Sequence, residues 1–146
     1  MQELIAALQL VPHPEGGFYR QIYKSPTTVV RGEHSRAALT IIHFLLPAGQ
    51  ISRWHRVDSD EVWTHLDGEP LRLHRFDGTV ASTATIDRTS PLQVIPAGEW
   101  QAAEPLGAYA LVACFVAPGF EFADFTLMSD DAAAAAKLPV ELRRFV

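Results

Sequence analysis

Gly49-Gln50-Ile51-Ser52-Arg53-Trp54-His55-Arg56-Val57-Asp58-Ser59-Asp60-Glu61-Val62-Trp63-Thr64-His65-Leu66-Asp67-Gly68 is the stretch that decides how this chain is read. A histidine follows the first glycine by six residues, a glutamate follows the histidine by six, and a second glycine closes the unit seven further on. That spacing predicts two antiparallel strands joined by a tight turn at Asp58-Ser59-Asp60, a cluster of turn-forming side chains. Alternate side chains of a strand share a face, so His55 and Val57 point one way, as do Glu61, Trp63 and His65 on the returning strand. Directly opposed side chains in such a pair lie about 4.5–5.5 Å apart. His55 and Glu61 are therefore expected to serve one ligand or ion, as cross-strand neighbours.

Outward from this unit the chain reads as many short strands. Ala38 to Leu46 is nearly continuous and apolar, as in a central strand covered on both sides. Leu71 and Leu73 alternate with Arg72 and His74, which predicts an exposed polar face carrying His74. Asp77-Gly78 predicts a hairpin returning through Thr79 to Ile86. Leu92 to Ile95, Tyr109 to Val116 and the strictly alternating Phe120 to Phe125 complete the set, and Phe18 to Tyr23 is a further strand. Lys24 to Ser35 reads as a polar exposed loop. Helices are expected only at the ends: residues 2–10, with Leu4, Ile5 and Leu8 at helical spacing, and an alanine-rich stretch to Leu138 capped by Ser129-Asp130-Asp131. The pattern is an all-β, double-sheet jelly roll with short N- and C-terminal helices, in one domain.

Gly49, His55, Glu61 and Gly68 resemble the first signature of the cupin superfamily, and Pro96-Ala97-Gly98-Glu99-Trp100-Gln101 resembles the second. Pro12-His13-Pro14-Glu15-Gly16-Gly17-Phe18-Tyr19-Arg20, Trp54-His55-Arg56, Ser59-Asp60-Glu61 and Val116-Ala117-Pro118-Gly119-Phe120 are similar to a small single-domain cupin family of unknown function. The resemblance implies a double-stranded β-helix barrel. It also implies a metal held by three histidines and a glutamate, yet Val57 and Gln101 stand where two of those histidines belong.

Three readings of the site follow. A metal would be held by His55, Glu61 and Gln101, with His65 or His43 as substitutes; a neutral amide is a poor donor, so no tightly bound cofactor is expected beyond a weak divalent ion. Metal-free acid–base chemistry needs a histidine base oriented by a carboxylate, His55 with Glu61, and an opposing proton donor, Tyr19 or His65. That set suits an isomerase or epimerase of a sugar-like or nucleotide-linked metabolite, by analogy with metal-free cupin epimerases. A purely binding pocket is the third reading, lined by Trp63, Gln101 and Arg53, with Glu15 and Arg20 at its mouth. Trp54 and Trp100 have the opposite parity and are expected to pack in a core or interface.

Composition narrows the partners. The 146 residues carry a net charge of −5 with scattered basic residues, so no nucleic-acid footprint is visible. The single cysteine, Cys114, sits in an apolar strand and reads as a buried, inert thiol. The opening MQELIAALQL lacks a basic leader and no run of eighteen apolar residues occurs, so a cytoplasmic protein with no membrane contact is expected. The partners expected are a small-molecule ligand and, from the family resemblance and exposed strand edges, a second copy in a homodimer.

Overall fold

The computed structural model describes residues 1–146. Two antiparallel sheets face one another. The first has six strands: β1 (Val11–Pro12), β2 (Phe18–Lys24), β5 (Thr40–Pro47), β12 (Tyr109–Ala117), β7 (Asp60–Gly68) and β10 (Leu92–Ile95), in that order. The second has five: β13 (Thr126–Leu127), β6 (Ser52–Arg56), β11 (Trp100–Pro105), β8 (Leu71–Phe76) and β9 (Ala81–Ile86). Inward side chains of both sheets, among them Phe44, Leu46, Trp63, Leu71, Leu73, Ile95 and Val112, fill one end of the interior. The all-β jelly roll expected from strand spacing is the architecture found, with a helix near each end, α1 (Gln2–Ala7) and α2 (Ala132–Lys137).

One expectation about the central stretch is corrected. β6 and β7 are not partners in a ladder: β6 pairs with β11 and β13, whereas β7 pairs with β10 and β12. The Asp58-Ser59-Asp60 segment crosses from one sheet to the other. Asp60 Oδ1 accepts the Ala97 N–H at 2.9 Å and the Val57 carbonyl accepts the Gly98 N–H at 2.8 Å, which pins this crossing to the turn before β11. Alternation alone cannot distinguish a hairpin from a sheet-switching corner, because both need the same turn residues.

Further differences have similar causes. Residues Thr28–Arg31 (β3) and His34–Ala37 (β4) form a two-stranded hairpin where a loop was expected. Phe120 to Phe125 is no strand; it holds a 3-10 turn at Phe122–Asp124. His74 is buried, because the C-terminal segment folds over the outer face of the five-stranded sheet and lays Phe145 against it with ring centroids 4.8 Å apart. Trp54, Phe76, Trp100, Met128 and Leu138 belong to the same outer cluster, and the Trp54 indole N–H donates to the Leu142 carbonyl at 2.9 Å. Trp54 and Trp100 thus pack as their parity predicted. Arg56 lies over the Trp100 ring, 4.6 Å from its centroid. β5 is covered on its outer side at Leu45, beneath α1 and Leu10, while Ile41 and His43 are only half-buried. Asp131 Oδ1 caps α2 by accepting the Ala134 N–H at 3.0 Å.

Candidate active site

The site begins with the segment His13-Pro14-Glu15-Gly16-Gly17, which dips into the open end of the barrel. Gly16 and Gly17 have φ of 109° and 70°, and a Cβ on Gly16 would lie 2.2 Å from the Ile51 carbonyl oxygen. Only glycine permits this close pass. The backbone is stitched to β6 by the Arg53 N–H donating to the Glu15 carbonyl at 2.8 Å, and the Arg53 guanidinium donates to the Pro14 carbonyl. Glu15 is thereby turned inward and is 5% exposed.

Its carboxyl meets three side chains. Ser52 Oγ donates to Oε1 at 2.7 Å, and Oε2 lies 3.2 Å from both His55 Nε2 and His13 Nδ1. Regular alternation would put Ser52 and His55 on opposite faces of β6. A bulge in its pairing with β11, where Gln101 faces His55 but Ala103 faces Ser52, lets both address Glu15.

The hydrogen bonds assign the protons. His55 Nδ1 is 2.8 Å from the Arg53 carbonyl, which only accepts, so Nδ1 carries the hydrogen and Nε2 is an acceptor in the neutral ring. Burial pushes Glu15 up to about 8, against the opposing pull of Ser52 and Arg53, so at neutral pH it is a carboxylic acid that donates to His55 Nε2. Burial, reinforced by the neighbouring His55, drives His13 down to about 3, and its Nδ1 accepts the Glu15 N–H at 3.3 Å. His55 is lowered by burial as well. These contacts are neutral hydrogen bonds rather than ion pairs.

Glu61 enters from the other sheet. Its Oε2 accepts from Gln101 Nε2 at 2.6 Å, and Gln101 Oε1 accepts from the Trp63 indole N–H at 2.7 Å. An indole only donates, so Trp63 dictates which way the Gln101 amide faces. Burial raises the Glu61 pKa, against the opposing pull of His55 and of the Gln101 hydrogen bond. Cys114, also in the wall, is buried and its thiol is raised well above its ordinary value by burial, which makes it a poor nucleophile, as expected.

His13, Glu15, His55, Glu61 and Cys114 border one cavity of about 430 Å³. Tyr19, Phe44 and Val57 supply apolar wall, and Phe120, Phe122 and Phe125 cross its mouth with centroids 5.0–6.2 Å apart. Among the residues singled out from sequence, His55, Glu61, Glu15 and Tyr19 line this cavity. Five others do not. His65 shares the face of Glu61, but it lies further along β7, where Nε2 is 3.3 Å from the Glu69 carbonyl. Trp63 and Gln101 lie behind the wall and hold Glu61. Arg20 is on the outer surface near Leu8, and Arg53 clamps the Pro14 carbonyl from outside. The carboxyl bonded to His55 is Glu15, not Glu61, which corrects the pair read from spacing. His13, Ser52 and the three phenylalanines were missed; His13-Pro14-Glu15-Gly16-Gly17 was itself the signal for the first.

A divalent ion does not fit the residues present. No group of three His, Cys, Asp or Glu side chains is arranged to hold one. Val57 offers no donor, and both ends of the Gln101 amide are engaged, with its NH₂ rather than its oxygen toward Glu61.

Fold and cavity together define a cupin-type barrel whose usual metal-ligand set is incomplete. The chain belongs to the cupin superfamily (DUF985), whose family model matches residues 2–128. It is similar to a hypothetical protein from Leishmania major, at 28% identity and TM-score 0.88 over 99% of this chain and 97% of that one. A structure from Shewanella oneidensis matches at 32% identity and TM-score 0.82, covering 97% of this chain and 94% of the other. Oxalate decarboxylase from Bacillus subtilis shares the fold alone, at 18% identity and TM-score 0.62 over 89% of this chain and 32% of that one. A comparison with curated protein sequences returned no match. No helix is long and apolar enough to cross a membrane.

Proposed function

We propose that the chain is a metal-independent isomerase or epimerase of a small sugar-like or nucleotide-linked metabolite. The observation that supports this is the placement of two acid–base centres on opposing sheets around one cavity: the Glu15–His55 pair and Glu61. Inverting a carbon next to a carbonyl requires a proton to leave one face and another to arrive on the opposite face. Ionised Glu61 takes the proton from carbon, the electron pair moves to the carbonyl oxygen, and the protonated Glu15–His55 pair delivers its proton from the other side. In the reverse direction the roles exchange. Both carboxyls are raised by burial, which brings their protonation equilibria toward neutral pH, where such transfer is most effective.

The test is hydrogen exchange. In deuterium oxide, substrates drawn from sugars, sugar phosphates and nucleotide sugars should acquire one deuterium at the reacting carbon, and both Glu61→Gln and Glu15→Gln should abolish it. Exchange undiminished in both variants would sink the assignment. Thermal stabilisation by a ligand that undergoes no exchange would instead support a binding module, for which the phenylalanine-covered mouth is the favouring feature.

A homodimer is the assembly proposed. Its support is a row of side chains in register across the outer face of the six-stranded sheet: Tyr23, Ile41, Phe115, Val62 and Val94. All five are at least partly exposed, and they make an apolar stripe that a second copy of the same sheet would cover.

A further inference from the structure

An irregularity in β2 shapes the mouth of the cavity. Tyr19 pairs with Phe44 and Gln21 with Ile42, all four in the cavity wall. Strict alternation would next bring Tyr23 inward and turn Lys24 out. Instead Ile22 is skipped in the pairing: Tyr23 faces Ile41 on the outer surface and Lys24 faces Thr40 in the cavity wall. The bulge therefore exchanges a phenol for an ammonium at the mouth. Bulges beside functional sites commonly re-aim one side chain in this way.

Lys24 makes no ion pair with any carboxylate of the chain, although acids are close by. Glu121, also at the mouth, is directed to Arg36, with Oε2 3.9 Å from its Nε, and Asp124 is held by the same guanidinium at 2.7 Å. Deeper in, burial works against charge: Glu15 is protonated, His13 and His55 are unprotonated, and the Glu61 carboxyl is raised. The cavity thus pairs an interior in which burial disfavours charge with a cation at its opening that no carboxylate of the chain matches. Thr40 Oγ1 accepts the Phe120 N–H at 2.9 Å, so the strand that places Lys24 is also tied to the covering segment.

We infer that the ligand is a small hydroxy- or oxo-compound with an anionic tail, phosphate or carboxylate, whose neutral head enters the barrel while Lys24 binds the tail at the mouth. This rests on the isomerase reading only for the fate of the head. The chain's net charge of −5 makes a local cation the feature that would admit an anion.

Calorimetric titration of the full chain with matched probes tests it: ribose against ribose 5-phosphate, and glucose against glucose 6-phosphate and glucuronate. At least one anionic member should bind tenfold or more tightly than its neutral parent, with the preference shrinking as salt rises. Lys24→Met should bring that ratio close to one and Lys24→Arg should retain it; a phosphate-only or glucuronate-only preference identifies the tail. Equal affinities for parent and anion, no binding by any anionic probe, or a preference surviving in Lys24→Met overturns the inference. Deuterium exchange separates the two ideas. A Lys24-dependent preference without exchange keeps the anionic ligand and removes the isomerase, whereas equal exchange into neutral and anionic sugars does the reverse.

Discussion

Glu15 Oε2 stands 3.2 Å from His55 Nε2, and the carboxyl, raised to about 8, is the donor in that contact. A buried acid that stays protonated while its unfolded counterpart ionises near 4.5 binds more protons folded than unfolded between those values. Stability therefore falls as pH rises from 4.5 to 8. His13, depressed from 6.5 to about 3, acts oppositely, and stability is lost as pH drops through that window. The two slopes oppose one another between 4.5 and 6.5, so urea denaturation should place maximal stability there. Glu15→Gln should flatten the decline between pH 6.5 and 8. An unchanged alkaline slope would show that Glu15 is ionised in the native state.

The donor set predicts what restores a metal. Purified without a metal-affinity tag, the native chain should carry substoichiometric divalent ion by elemental analysis. Joint replacement Val57→His and Gln101→His adds imidazoles at two positions beside His55 and Glu61, and should raise the content toward one equivalent. Native protein already holding one full equivalent would contradict the fit described for these residues.

Gln101 bridges two buried groups that have few other partners. Gln101→Leu leaves the Trp63 N–H and a Glu61 oxygen without a bond made in the native chain. Each orphaned group costs about 1–3 kcal/mol. The variant should lose roughly 2–4 kcal/mol in chemical denaturation with an unchanged m-value. Trp63→Phe, which orphans only the Gln101 oxygen, should lose less. A loss under about 0.5 kcal/mol in Gln101→Leu would mean that the bridge is not maintained in solution.

The apolar row on the outer sheet has a direct readout. Light scattering coupled to size exclusion should give twice the 16.1 kDa chain mass for the native protein, and Phe115→Glu should give the single-chain mass with folding retained by circular dichroism. A native monomer, or a dimer indifferent to that charge, would assign the row another role.

Much of this molecule was legible as sequence. Period-two alternation, turn residues and bracketing glycines are local, and local sterics dictate them, so most of the strands, the jelly-roll class, the terminal helices and the outward packing of Trp54 and Trp100 could be read from residue order. The β3–β4 hairpin and the 3-10 turn at Phe122–Asp124 could not. His55, Glu61, Glu15 and Tyr19 could also be singled out, because a polar side chain on an inward face must find a partner or a cavity. Only the folded chain decided how they meet. Whether Asp58 to Asp60 turns within one sheet or crosses to the other depends on pairing with β11, β12 and β10, which is long-range. The bulges in β6 and β2 reverse parity, bringing Ser52 to Glu15 and Lys24 into the wall, and no periodicity survives an inserted residue. Burial of His74 required a C-terminal segment 65 or more positions away to fold across it. The protonation of Glu15 belongs to the same class: a carboxyl's charge is set by the desolvation that distant elements impose, and residue order carries no direct record of it.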